Sequence, residues 1–304
     1  MYPEESKSSN LGQPGKYVVI SPVRNEAEFI GQTIQSMISQ TIKPFEWIVV
    51  NDGSTDGTED IIERYLATCP WMKLVNREDR GFRQRGGGVV RAFYDGYEAL
   101  SCQDYEFIVK LDGDLSFEPT YFEQLLGEFA TRPRLGIAGG GCYVYAGDNW
   151  TLEGNDPGHV RGPTKVYRRV CLEAIGGLVP NLGWDGIDEW KARMLGWEVM
   201  SFLDLKVRHH RPLGSGTGKL RSKIEMGRAA YFMGYHPLFM LARGVRRMVD
   251  RPYVLGGLAI LWGYFGDWLK RRAQVNDPAM IRFLRQHQLK CLGLVRVRPA
   301  GDYL

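Results

Sequence analysis

Residues 105–114 read YEFIVKLDGD, a short apolar run that ends in Asp112 and Asp114 with one glycine between them. A β-branched apolar run of this length, bounded by turn residues, has the pattern of a buried strand. Toward the N-terminus three similar runs precede it: KYVVISPV from Lys16, EWIVVND from Glu46 and MKLVNRE from Met72. Helical patterns fill the gaps. In AEFIGQTIQSMISQ (27–40) the apolar residues Phe29, Ile30, Ile34, Met37 and Ile38 share one helical face. GSTDGTEDIIERYLATC (53–69) is a turn followed by a helix with Thr55 or Asp56 as N-cap, and GGGVVRAFYDGYEAL (86–100) is a glycine-led helix. Alternating strands and helices with short connections predict an α/β fold with right-handed crossovers and a mainly parallel sheet flanked by helices. In such sheets the chemistry sits at the carboxyl ends of the strands. Three of the four strands end in polar clusters, Arg24-Asn25-Glu26, Asn51-Asp52-Gly53-Ser54 and Asp112-Gly113-Asp114, which are expected to converge along one edge.

Beyond residue 130 the pattern is more mixed. RLGIAGGGCYVYA (134–146) reads as a strand whose glycines allow close backbone approach, and KVYRRVCLEAIGGL (165–178) as a strand or turn entering a short helix. DEWKARMLGW (188–197) is a helix closed by Gly196, and EVMSFLDLKVRHHR (198–211) returns as a strand. From Leu213 the chain turns basic, aromatic and helical. Between Lys206 and Arg272 fourteen Lys and Arg face three Asp and Glu, a net +11, which leaves −7 for the rest of a chain whose total is +4. The expected organisation is a loose polar tail over 1–15, a catalytic domain over 16–212 and a basic helical C-terminal region over 213–304.

Composition sets further bounds. At 304 residues, 44% hydrophobic and 24% charged, the chain is long enough for a sizeable core and is no disordered polymer. Its 37 glycines follow no collagen period. Five cysteines without a CxxC pair predict reduced, packed thiols rather than a disulfide framework or a zinc ribbon. The small total charge does not point to nucleic acid. The first sixteen residues lack the apolar core of a signal peptide, so the cytoplasm is the expected compartment.

Two hard carboxylates at a strand end, Asp112 and Asp114, suit Mg²⁺ or Mn²⁺, above all when substrate phosphates complete the octahedron. A bare D-x-D is common in surface loops; the preceding strand is what gives this one weight. Together, SPVRNEAEFI, WIVVNDGSTDGT and KLDGDLSFEP, in that order and spacing, resemble family-two glycosyltransferases of the GT-A fold, with the resemblance covering roughly residues 16 to 212. It implies an inverting transfer from a nucleotide-diphospho-sugar, UDP-linked, to a hydroxyl of a lipid-linked or growing surface glycan, with Mn²⁺ or Mg²⁺ as cofactor. Carried over, Pro22, Arg24, Asn25 and Glu26, then Asn51, Asp52 and Ser54, hold the nucleoside. Asn51 stands where an Asp is usual, so whether Asn51 or Asp52 meets the base is open. Lys110, Asp112 and Gly113 complete the nucleotide side. The glycine-led helix start favours anions, and Arg83 or Arg85 reaches toward the diphosphate or the base.

The resemblance places the catalytic base in GWDGIDEWKARMLGW (183–197). A sugar hydroxyl is a poor nucleophile unless a carboxylate takes its proton as it attacks. Counting back from Gly196 gives Asp185, with Asp188 as the second candidate and Trp184 where a partner acid is usual. In VRHHRP (207–212), His209 or His210 is a third metal ligand or a diphosphate contact, and Arg208 and Arg211 help neutralise the diphosphate. His159, Arg161, Trp184 and Glu189 fall where relatives line the donor and acceptor pocket. Two rivals are a sugar-phosphate nucleotidyltransferase, whose glycine-rich basic loop after the first strand is missing from SPVRNEAE, and a non-catalytic nucleotide-sugar-binding subunit, which would not need these acids.

In the basic region two uncharged stretches, AAYFMGYHPLFMLA (229–242) and YVLGGLAILWGYFG (253–266), are fourteen residues each, short of the roughly 17 to 25 that a membrane span needs. Arg228, Arg243, Arg246 and Arg247 flank the first; Arg251, Lys270, Arg271 and Arg272 flank the second. Trp262, Tyr264 and Trp268 favour an interface. Two expectations compete: an in-plane helix pair on the anionic inner face of the cell membrane, or a helical lid that forms a homodimer surface.

Overall fold

The apolar runs lie side by side as β1 (Tyr17–Val23), β2 (Glu46–Asn51), β3 (Met72–Asn76) and β4 (Phe107–Leu111), all parallel, in the order β3-β2-β1-β4. β2 and β4 are buried from end to end, and β1 nearly so, because helices cover both sheet faces. That is why these strands read as continuous rather than alternating apolar runs. Their two-residue period divides the core. Val19, Trp47, Val49 and Val109 meet α1 (Ile30–Ile38) and α2 (Thr58–Leu66) on one face. Val18, Ile20, Ile48 and Val50 meet α3 (Gly87–Glu98) on the other. The computed structural model describes residues 15–82, 84, 86–146, 149–153, 156–211, 218–249 and 252–294. The expectations for the tail, Arg83, Arg85, Arg251 and the start of the basic region at Leu213 lie outside the described residues.

Past β4 the sheet continues through β8 (Thr164–Arg168), β6 (Leu135–Ala146), β9 (Glu198–His209) and β5 (Leu115–Phe117), with β7 (Asn149–Leu152) paired to β6. This half is mixed: β8 runs antiparallel to β4 and β6, while β9 runs parallel to β6. β5, β7 and the helix α4 (Tyr121–Thr131) do not emerge from sequence periodicity. The two strands are only three and four residues long, too short to show a period. The cap of α2 also differs from expectation. Gly57, in a left-handed conformation, holds the N-cap position, and Asp56 instead accepts from the Thr58 and Ala27 amides.

The remaining core helices are α5 (Arg169–Ala174) and α6 (Trp184–Met194), and the basic region forms α7 (Lys219–Phe232), α8 (Pro237–Arg246), α9 (Leu255–Leu269) and α10 (Pro278–Cys291). α7 and α9 cross at glycines. A Cβ on Gly227 would sit 2.0 Å from the Ile260 carbonyl oxygen, and one on Gly263 would sit 2.1 Å from that of Ile224. Ile187 of α6 shares a cluster with Met233, Met280 and Leu284, which seats the helical region on the sheet domain. Among the described residues no helix is long and apolar enough to cross a membrane. All five cysteines are free thiols.

Candidate active site

Two loops at the carboxyl edge are tied to one another before any ligand is considered. Asn25 adopts a left-handed backbone at φ 54, which asparagine tolerates better than most residues. Its side-chain oxygen accepts from the Thr55 amide at 2.8 Å, and its own amide donates to Ser54 Oγ at 3.0 Å. The Glu26 amide donates to Thr58 Oγ1 at 2.8 Å. Adjacent residues at the end of β2 then part company. Asn51 turns away, donating to Glu59 at 3.2 Å and Asn76 at 3.0 Å and accepting from the Ser54 amide. Asp52 turns into a cavity, where Arg80 grips its carboxylate with two bonds of 2.6 and 2.5 Å and Arg77 adds one of 2.5 Å. Arg24 donates to the Asp52 carbonyl and to Asp79. Sequence reasoning missed Arg77, Asp79 and Arg80; their only signal was proximity to the glycine-rich loop.

The acidic pair needs its glycine. A Cβ on Gly113 would lie 2.8 Å from a Val23 methyl. Asp112 pairs with Lys110, whose Nζ also donates to the Gly162 carbonyl at 2.9 Å and lies 5.4 Å from the centre of the Trp184 ring. Burial pushes the Asp112 carboxyl above its ordinary value; Lys110 opposes this and Asp114 reinforces it. Asp114 is 6% exposed, its Oδ2 lies 3.5 Å from His209 Nε2, and its Oδ1 has no hydrogen-bond partner among the described residues. His209 Nδ1 lies 3.3 Å from Glu153, which itself pairs with Arg161 at 2.8 Å. Burial would lower the His209 pKa, but hydrogen bonds and charge from Asp114 and Glu153 win and lift it to about 9. Burial likewise works against ionised Asp114 and Glu153, and the His209 cation outweighs it, holding both carboxyls low.

Strand parity separates the two histidines. Successive side chains point to opposite faces of a strand, so His210 leaves the cavity, meets Ser116 Oγ at 2.8 Å and stacks on Phe29. Arg208 also faces outward, toward Glu118 at 3.5 Å, whereas Arg211 lines the cavity and pairs with Glu26 at 2.8 Å. The residues present fit a divalent cation: two carboxylates and an imidazole, with one buried carboxylate oxygen unsatisfied; His209 would have to give up its proton to bind the ion. Among the described residues no three such groups close a metal cage unaided.

α6 brings the third set. Asp185 lies in its first turn on the cavity wall, and its backbone carbonyl accepts from Lys165 Nζ at 2.6 Å. Asp188, one turn on, is enclosed. It receives Lys165 at 2.9 and 3.0 Å and the Tyr167 hydroxyl at 2.5 Å, and takes no part in the cavity wall. Glu189 reaches the wall and holds His159 at 3.0 Å, Lys165 at 3.1 Å and the Val160 amide at 2.9 Å. Asp188→Ala is expected to lower the unfolding free energy by about 3–5 kcal/mol, since it strips a buried ammonium of a partner. Denaturant titration checks this; a loss under about 1 kcal/mol, against the usual cost of breaking a buried pair, would deny Asp188 its structural role. Burial would raise the Glu189 pKa, but Lys165, His159 and Arg193 outweigh it and bring it to about 2. A depressed carboxylate stabilises the fold above its unfolded pKa and loses that contribution as pH falls through the folded value. The gap in melting temperature between the parent and Glu189→Gln should therefore narrow from about pH 6 to about pH 3; a constant gap would contradict the ion network.

One cavity of about 2260 Å³ collects nearly all of these groups. Pro22, Arg24, Asn25, Glu26 and Asp52 from the ends of β1 and β2 line it together with Lys110, Asp112, Gly113 and Asp114 from the end of β4. His159, Arg161, Trp184, Asp185, Glu189, His209 and Arg211 line it as well. Asn51, Ser54, Asp188 and His210 stay outside the wall. An acidic pair and several arginines thus line a cavity at the carboxyl edge of the sheet, where open α/β folds place their ligands.

Residues 18–180, more than half of the chain, match the model of glycosyl transferase family 2, and the chain belongs to that family. It is 28% identical over 152 residues to chondroitin synthase of Escherichia coli, which covers 50% of this chain and 20% of that protein. It is 36% identical over 104 residues to the putative glycosyltransferase EpsH of Bacillus subtilis (strain 168), covering 34% and 27% respectively. The chain thus spans a fifth to about a quarter of the length of these two relatives. Among solved structures, the mannosyltransferase PcManGT from Pyrobaculum calidifontis, in complex with GDP-Man and Mn²⁺, shares 18% identity at a TM-score of 0.54, covering 95% of this chain and 78% of that one. TarS of S. aureus (1–349) shares 16% at a TM-score of 0.52, covering 84% and 72%. At these identities the likeness is one of fold.

Proposed function

We propose that this chain transfers a sugar, with inversion, from a nucleotide-diphospho-sugar to an acceptor hydroxyl. The observation that supports it is the meeting, in one cavity, of a nucleotide side (Arg24, Asp52, Lys110), an acidic pair (Asp112, Asp114) and an independent carboxylate on α6 (Asp185). The nucleoside lies along the β1 and β2 loops, with Asp52 rather than Asn51 toward the base. Asp112, Asp114 and His209 hold Mn²⁺ or Mg²⁺, which when bound screens the diphosphate and stabilises the departing nucleoside diphosphate. Asp185 takes the acceptor proton while that oxygen attacks the anomeric carbon from the face opposite the leaving group. Lys165, holding the Asp185 carbonyl, sets the first turn of α6 against the cavity. His159, Arg161 and Trp184 shape the sugar end. We take the donor as UDP-linked and the acceptor as a lipid-linked or growing surface glycan; the name of the chondroitin synthase relative supports polysaccharide assembly.

The test is turnover of a panel of nucleotide sugars with Mn²⁺, read as release of nucleoside diphosphate and as the anomeric configuration of the product. Release of UDP with an inverted product supports the proposal. Formation of a nucleotide sugar from a sugar 1-phosphate and a nucleoside triphosphate, with no sugar transfer from any donor, would replace it by the nucleotidyltransferase reading.

A further inference from the structure

The outward side of α9 carries no charge and is open to solvent. Its buried side, Gly256, Ile260, Gly263, Tyr264 and Asp267, packs on the protein, and Asp267, the sole charged residue in α9, pairs there with Arg272 at 3.2 Å. On the opposite side Leu255, Leu258, Trp262 and Leu269 recur at helical spacing, with Trp262 and Leu269 both 73% exposed. Leu220 and Ile224 of α7 join them in an apolar groove of about 570 Å³. α8 adds a second exposed stripe in Leu238, Leu241 and Val245. Apolar surface of this extent on a helix face marks a contact site.

What covers it follows from the charges at its ends. Arg246 and Arg247 are exposed at the N-terminal approach to α9, where the Arg247 carbonyl lies against Gly256; Lys270, Arg271 and Arg272 are exposed just past its C-terminus. Two copies joined face to face would bring these cations together. An anionic bilayer is attracted to the cations at both ends, Lys270 and Arg271 above all, while the leucines and Trp262 enter the acyl boundary. α9 has 15 residues, about 22 Å at the rise of an α-helix, too short to cross and long enough to lie in the plane. Trp262, Trp268 and Tyr253 are of the type that settles at headgroup level.

We propose that the outward face of α8 and α9 docks on an anionic lipid bilayer. The same cavity that holds Asp114 and Asp185 is also lined by α7 and α8, with Arg243, Arg246 and Arg247 among its residues. Docking would hold that cavity close to the bilayer, within reach of an acceptor anchored there by a phosphate-linked lipid. This consequence rests on the transferase reading; the docking does not.

The test is co-sedimentation of the full chain with vesicles of phosphatidylcholine alone or mixed with equal parts of phosphatidylglycerol, without nucleotide. Binding to the anionic vesicles should exceed that to neutral ones by about tenfold or more at low salt. The double variant Leu258→Ser/Trp262→Ser should lower binding by about tenfold or more at high and low salt alike, the apolar part being insensitive to screening. Lys270→Gln/Arg271→Gln should weaken binding by roughly fivefold for each charge at low salt and little at high salt. Equal or absent binding to both vesicle types overturns the proposal, as does a stable dimer that Leu258→Ser/Trp262→Ser dissociates. UDP binding measured by calorimetry on the same samples separates this outcome from failure of the transferase reading.

Discussion

Asp185→Asn is expected to lower kcat by about two to four orders of magnitude, the contribution of a positioned general base, while UDP affinity in the presence of Mn²⁺ stays within about twofold of the parent. The amide keeps the shape of the side chain and cannot accept a proton. In the proposed reaction Asp185 acts on the acceptor hydroxyl and not on the nucleotide, so the loss should appear in turnover and leave nucleotide binding intact. Lys165 bonds the Asp185 backbone carbonyl, which the substitution preserves, so α6 keeps its place. Steady-state kinetics with calorimetric UDP titration checks both halves. Retention of near-parental kcat would move the base to Glu189, the other acid of α6 on the cavity wall.

Asp114→Ala should reduce transfer by about a thousandfold or more, the several kcal/mol that a metal ion supplies to a departing phosphate. It should also abolish the Mn²⁺ dependence of UDP binding. Asp114 Oδ1 has no partner within the protein among the described residues, so its loss leaves no donor orphaned at that oxygen. Its Oδ2 faces His209, which keeps Glu153 as a partner in the variant. The metal-free variant should melt lower than the parent by what the Asp114–His209 pair contributes, and should still unfold in one cooperative transition. Titration of UDP with and without Mn²⁺, beside the kinetics, separates metal loss from misfolding. Mn²⁺-dependent UDP binding that survives the substitution would remove Asp114 from the ligand set.

The sequence alone determined the parallel half of the sheet and the three polar strand ends that border the cavity. Strands covered on both faces appear as runs such as VVIS and WIVV, whose apolar character depends on no distant partner. The loops that follow are equally local: turn residues and a glycine between two acids mark themselves. Tertiary structure decided which neighbour in each polar cluster enters the cavity. Asn51 and Asp52, or His209 and His210, differ by one residue, and in a strand one residue is the difference between two faces. Which face becomes the cavity depends on strands that arrive from far along the chain; β9 reaches the site through a register shift against β6. Glu153 was invisible for the same reason. It follows the four-residue β7, and only the pairing of that strand with β6 brings it to His209. Asp188, one helical turn from Asp185, is the second candidate base in the sequence, and Lys165 and Tyr167 of β8 enclose it. A carboxylate's role follows from the charges and donors around it, and in this fold those come from segments well along the chain, Lys165 standing 23 residues from Asp188 and Arg211 185 residues from Glu26, each brought within the ordinary length of a hydrogen bond or ion pair.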